Sequence, residues 1–216
     1  MSSLDLLSNF KSVLVLAPHT DDGELGAGGT IAKLIEAGAK VTYVAFSTAS
    51  ESVPKHLPPD ILKSEVKRAT SKLGILTDNL IIYDYQVRKL NYHRQEILED
   101  LIRLRNDNQF DLILTPSLQD IHQDHATIAQ ESLRAFKNTS ILGYELIWNN
   151  LSFDTKCFVK LQENHIRIKY NSLLQYESQG ERNYLSENFI FSLATTRGVQ
   201  AGCQYAECFE IIRLYL

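Results

Sequence analysis

The sequence predicts an α/β protein built on a doubly wound, mostly parallel sheet with helices on both faces. Three observations carry that prediction. Short apolar runs rich in Val, Ile and Leu alternate with longer stretches whose apolar residues recur every three or four positions. Gly38 and Gly74 stand where helix C-termini are expected. Acidic and histidine residues gather just after two of the apolar runs, and such sheets carry their sites at the carboxyl ends of strands.

The elements follow in order. Val13-Leu14-Val15-Leu16-Ala17, bounded by Pro18, reads as a buried strand, and a helix follows over 29–37. A second strand covers 41–47. Residues 50–59 hold Pro54, Pro58, Pro59 and His56 and read as a mobile loop near the strand's end. A helix over 61–73 leads to a strand at 80–83. The next helix, 96–106, carries Ile97, Leu101, Ile102 and Leu104 on one face. A strand at 112–115, a helix at 126–136 and a strand at 142–148 complete the alternation. Beyond them the pattern gives a short strand at 158–161 and helices at 166–176 and 184–194. The last segment, 206–212, reads as a late or edge strand. No linker, repeat or low-complexity stretch divides residues 1–216, so one domain is expected.

Composition narrows the function. Apolar residues make up 44% and charged residues 22%, ordinary values for a globular chain. The net charge is −4, and no basic block is interleaved with aromatics, so nucleic acid is not an expected partner. Cys157, Cys203 and Cys208 form no CxxC pair and read as thiols of a reducing compartment. Without a secretory or membrane-spanning stretch, the expected location is the cytoplasm, with no stable membrane insertion.

The chemistry lies in two clusters. The first is Pro18-His19-Thr20-Asp21-Asp22-Gly23-Glu24, directly after the first strand. Three carboxylates beside an imidazole repel one another and are costly to desolvate, so a bound cation is expected. The second is His122-Gln123-Asp124-His125, after the strand at 112–115. His19, Asp22 and His125 make a set of two histidines and one carboxylate, a ligand count found in catalytic zinc sites. Non-haem iron takes the same set, so Zn2+ or Fe2+ remains open. Asp21 adjoins a proposed ligand, where a carboxylate can take a proton from water activated by that metal. On a curved loop, Asp124 would hold His122 in its protonated form, aimed at a developing oxyanion.

These residues resemble a known family. Pro18 to Gly26, then Gly28-Gly29-Thr30, together with His122-Gln123-Asp124-His125, look like the zinc-dependent N-acetylglucosamine deacetylases, the PIG-L or LmbE-like family. Glu65 and Leu73-Gly74 are similar to its second helix. Arg197-Gly198, Gly202 and Tyr205-Ala206-Glu207-Cys208-Phe209 resemble its C-terminal segment. The resemblance implies a Rossmann-like fold and removal of an acetyl group from a small-molecule N-acetylated amino sugar. It implies zinc on His19, Asp22 and His125, with Asp21 as general base and later proton donor. It implies His122, oriented by Asp124, beside the tetrahedral intermediate. Many members assemble, so a homo-oligomer is admitted.

Several positions depart from the family pattern. Thr20 and Gln123 stand where the family has proline. Ser47-Thr48-Ala49-Ser50-Glu51 replaces its Thr-x-Gly-Glu segment, and Leu62 or Lys63 stands in place of an arginine. Glu51, Arg197 and Trp148 are the candidates for substrate contact. Gly26-Ala27-Gly28-Gly29 does not complete a dinucleotide loop, since Ile31 stands at the third glycine's place, and these glycines fit close helix–sheet packing instead. Two rival readings use the same residues: a non-haem iron oxygenase, and a catalytically silent sugar- or metal-binding module.

Overall fold

In a computed structural model, residues 6–180 and 182–215 are described. The strands are β1 (Ser12–His19), β2 (Lys40–Ser47), β3 (Leu80–Ile82), β4 (Leu112–Pro116), β5 (Ser140–Tyr144), β6 (Cys157–Leu161) and β7 (Tyr205–Arg213). The helices are α1 (Asp22–Glu36), α2 (Ile61–Leu73), α3 (Arg94–Asp107), α4 (Gln123–Ala135), α5 (Glu163–Leu173) and α6 (Glu187–Ala201). The seven strands form one sheet in the order β3-β2-β1-β4-β5-β7-β6. Strands β3 to β5 pair in parallel, and β7 runs antiparallel to both β5 and β6. The expected doubly wound, mostly parallel sheet is what forms.

The chain order explains where the site must lie. From β1 the sheet grows towards β2 and β3, and from β4 towards β5. The reversal falls between β1 and β4, and the crevice at such a switch point is where these sheets bind ligands. The two histidine clusters leave β1 and β4, the two strands that flank it.

Strand β1 sits at the centre because it can be buried on both faces. Val13, Val15 and Ala17 enter a core shared with α1, α2 and α5, while Leu14 and Leu16 enter a second core shared with α3 and α4. That alternation is the period of two of an extended chain.

Several boundaries correct the sequence reading. Helix α1 begins at Asp22, seven residues ahead of the expected Gly29. Gly23, Gly26, Gly28 and Gly29 hide its periodicity, because glycine weakens a helix and shows no apolar face. Neighbours occupy the space that side chains would take. A Cβ on Gly23 would stand 2.6 Å from the Tyr43 ring, and one on Gly26 would overlap the Tyr144 ring. Helix α4 begins at Gln123 rather than 126, and β5 ends at Tyr144 rather than 148. Helices α5 and α6 are offset by about three residues from their expected starts. Strand β7 is interior, and β6 takes the edge.

This packing gives a first prediction. Gly26→Ala is expected to destabilise the fold by about 3 kcal/mol, since an overpacked interior must shift backbone or ring. Denaturant unfolding against the native chain measures it, and a loss within 0.5 kcal/mol would contradict the packing argument.

Candidate metal centre and active site

His19 is the last residue of β1, and Asp22 is the first of α1. The turn is tight enough for Asp22 Oδ2 to accept the His19 backbone N–H at 2.8 Å. Its start at a helix N-terminus also favours the carboxylate charge. His125 lies in the first turn of α4. Its Nε2 stands 3.3 Å from His19 Nδ1 and 3.2 Å from Asp22 Oδ2, and His19 Nδ1 stands 3.1 Å from the same oxygen. Three donor atoms thus form a nearly equilateral triangle.

The outer nitrogens of both histidines are tied to carboxylates. His19 Nε2 lies 3.0 Å from Asp124 Oδ2, and His125 Nδ1 lies 2.7 Å from Asp120 Oδ2. Those bonds set the tautomers, leaving His19 Nδ1 and His125 Nε2 as bare lone pairs facing Asp22. Lone pairs and a carboxylate at this spacing require positive charge between them. Burial alone would lower the pKa of His19, but Asp22 and Asp124 override it and raise it to about 9. Burial likewise opposes protonation of His125, and Asp22 and Asp120 raise it to about 10. Burial works against the Asp22 charge too, but His125 and His19 hold its pKa well below the ordinary range.

A divalent cation meets that demand. Four ligands about 2.1 Å from zinc stand about 3.4 Å apart, close to the spacing found here. One ring nitrogen from each of His19, His122 and His125 lies within 4.8 Å of the others, so a third imidazole stands beside the donors of His19, Asp22 and His125 in a cluster that could hold a metal ion.

His122 is the N-cap of α4, and its Nδ1 accepts the Asp124 backbone N–H at 3.2 Å. Its free nitrogen is therefore Nε2–H, a donor. Burial, with His125 and His19 beside it, pushes its pKa down to about 4. The expected imidazolium is thus corrected to a neutral ring. The expected orientation of His122 by the Asp124 carboxylate is corrected as well. That carboxylate bonds His19 Nε2 and the backbone N–H groups of Arg88 (2.6 Å) and Leu90 (3.2 Å).

Asp21 is the residue preceding α1 and lines the cleft. Burial, then the neighbouring Asp22 charge, raises its pKa to about 6. Beneath it, the Tyr43 and Tyr176 hydroxyls contact the Thr20 carbonyl at 3.0 and 2.7 Å and also reach the buried Glu24 carboxyl. That brace fixes the turn carrying His19, Asp21 and Asp22.

The cleft over these residues has a volume of about 310 Å³, within the usual range of ligand pockets. Trp148 lines it and stacks on Tyr184, ring centroids 4.1 Å apart and 14° between planes. The Arg182 guanidinium also lies over the Tyr184 ring, 5.6 Å from its centroid. Among the described residues, Ala49 (φ 47°) and Arg88 (φ 65°) are the non-glycines with left-handed backbone, and both line the cleft. Such conformations cost about 1–3 kcal/mol each and gather at functional sites.

Two expected substrate contacts lie elsewhere. Glu51 is exposed, bonded to Gln86, and does not line the cleft. Arg197 makes a two-pronged pair with Glu145, with Nε to Oε2 at 3.0 Å, and also stands outside the cleft. Conversely, Asp120, Arg88, Arg182 and Tyr184 escaped the sequence reading. Asp120 alone carried a signal: it is a further carboxylate two residues before His122.

Fold and site together define a doubly wound α/β protein with a histidine- and carboxylate-rich, metal-competent centre at its switch point. Residues 14–136 match the family model PIG-L, GlcNAc-PI de-N-acetylase, and the chain belongs to that family. It is 28% identical over 176 residues to the uncharacterized deacetylase YaiS of Escherichia coli (strain K12), covering 78% of this chain and 91% of that one. N,N'-diacetylchitobiose deacetylase from Pyrococcus horikoshii shares the fold, with a TM-score of 0.76 at 22% identity over 97% of this chain and 86% of that one. So does GalB, the 4-carboxy-2-hydroxymuconate hydratase of Pseudomonas putida, with a TM-score of 0.76 at 18% identity over 95% and 98%. Fold alone therefore does not select the reaction. No helix among the described residues is long and apolar enough to cross a membrane.

Proposed function

We propose that this chain is a zinc-dependent hydrolase that removes the acetyl group from an N-acetylated amino sugar. The observation that carries the reading is the convergence of His19 Nδ1, His125 Nε2 and Asp22 Oδ2 beside a carboxylate, Asp21, that accepts a proton near neutrality. The deacetylase family match supports the amide as the bond that breaks.

In this reading His19, Asp22 and His125 hold the metal. Once bound, the cation polarises the acetyl carbonyl and acidifies water. Asp21 takes the proton from the attacking water and later returns it to the leaving amine. The Nε2–H of neutral His122 donates to the oxygen that becomes negative at the tetrahedral carbon. Asp120 and Asp124 keep the two ligand imidazoles in the tautomer that presents a lone pair. Trp148, with Tyr184 behind it, forms an apolar wall against which a sugar ring rests.

Acetate release from a panel of N-acetyl amino sugars, with zinc and with a chelator, tests the proposal. Release that depends on metal and not on oxygen supports it. Oxygen-dependent turnover would favour the oxygenase, and no turnover with retained sugar binding the silent module.

The pH profile adds a prediction. The base form of Asp21 grows as pH rises through about 6, and a nearby cation moves that point lower. The activity is expected to climb with pH and level off by about pH 7. His122, pushed down to about 4, adds no step between pH 5 and 8. A rate that falls with pH across that interval would remove Asp21 from the role of base.

A further inference from the structure

We propose that the cleft selects N-acetyl amino sugars bearing an anionic group, a phosphate or carboxylate, which Arg88 and Arg182 bind. The inference rests on the deacetylase reading and names its substrate class.

The first observation is how this chain places its arginines. Six of the ten, Arg68, Arg94, Arg103, Arg134, Arg167 and Arg197, lie within 4.0 Å of a carboxylate. Arg105 and Arg213 donate to the carbonyls of Ala135 and Phe136. Arg88 and Arg182 line the cleft, and among the described residues neither guanidinium has a carboxylate oxygen within 4.0 Å. The side-chain bonds they make are neutral: Arg88 Nη2 donates to Ser52 Oγ at 3.2 Å, and Arg182 donates to the Tyr184 hydroxyl. Guanidinium groups with donors to spare, in a concave site, suit a planar or tetrahedral anion bound by paired N–H groups.

The second observation is how they are held. Arg88 adopts a left-handed backbone, an unfavourable state for a residue with a Cβ. The Asp124 carboxylate fixes it there through the Arg88 N–H at 2.6 Å. Arg182 lies over the Tyr184 ring, which is itself stacked on Trp148. Two separate chain segments thus each bring a positioned guanidinium to the same cleft. Ser52 adds a hydroxyl there. Among the described residues, the carboxylates lining the cleft are Asp21 and Asp22, and the Arg182 charge reaches Asp21 without an ion pair. In the proposed reaction both face the metal and its water, which leaves the arginines for the substrate.

Calorimetric binding to the zinc-loaded Asp21→Asn protein tests this without turnover. The probes are N-acetylglucosamine 1-phosphate, the carboxymethyl glycoside of N-acetylglucosamine, and its neutral methyl glycoside. The two anionic sugars are expected to bind at least about tenfold tighter than the neutral one, an advantage that shrinks as salt is raised. Arg88→Gln or Arg182→Gln, added to that protein, is expected to bring the ratio near one. Tighter binding of one anion alone tells phosphate from carboxylate recognition. Equal affinity for all three sugars overturns the proposal. So does an anion preference that survives both arginine changes, because the metal alone would then hold the anion. A merely structural role would weaken all three sugars together and is also contrary to it. Acetate release from any of the three sugars by the native chain judges the deacetylase reading separately.

Discussion

Asp21→Asn is expected to lower acetate release by about 10²- to 10⁴-fold, the usual contribution of a positioned general base. The zinc content should stay unchanged, because the converging donors belong to His19, Asp22 and His125. The substitution keeps shape and removes one negative charge from a site where Asp22 already opposes it. Folding stability should therefore hold or rise slightly. Metal analysis, a melting curve and turnover on one sample separate these effects. Native turnover in the variant would show that another group moves the proton.

Removal of the metal is expected to abolish turnover and to make stability depend on pH in a new way. In the metal-free protein a proton takes the cation's place among His19, His125 and Asp22. The folded histidines have pKa values of about 9 and about 10, against 6.5 when unfolded. A pKa raised by folding stabilises fully below the unfolded value, and that contribution fades as pH climbs through the folded values. The chelated protein should thus lose on the order of 3 kcal/mol between about pH 6.5 and 10, the two rings sharing one proton. The zinc-loaded protein should weaken instead at low pH, where protons displace the metal. Unfolding midpoints of both forms across pH measure the contrast. Parallel profiles would mean that the three donors do not share a cation.

Much of the fold was legible because its strands are locally written. Val13 to Ala17 is apolar at every position, which only a strand covered on both faces requires. The start of α1 was not legible. Its glycines show no periodicity, and what requires them is the close approach of the Tyr43 and Tyr144 rings from β2 and β5, which only the fold reveals. The interior place of β7 was hidden for the same reason, since strand order rests on distant pairing. The convergence of His19, Asp22 and His125 was legible because these residues fall in two short motifs. The roles within it were less so: Asp124 lies two residues from His122, yet its carboxylate turns to His19 across 105 positions. Arg182 and Tyr184 were silent, since lone polar residues in a short irregular segment carry no pattern until the fold brings them to Trp148.

The Asp124 carboxylate also bears on how this protein can change. One oxygen, Oδ2, serves both the His19 imidazole and the Arg88 amide. Retuning the 86–90 loop for a new substrate disturbs the hold on the His19 imidazole, and resetting that imidazole disturbs the loop. Directed evolution of specificity is then expected to stall when it samples that loop alone, and to advance when positions 88 and 124 are varied together, with strongly non-additive pairs as its signature.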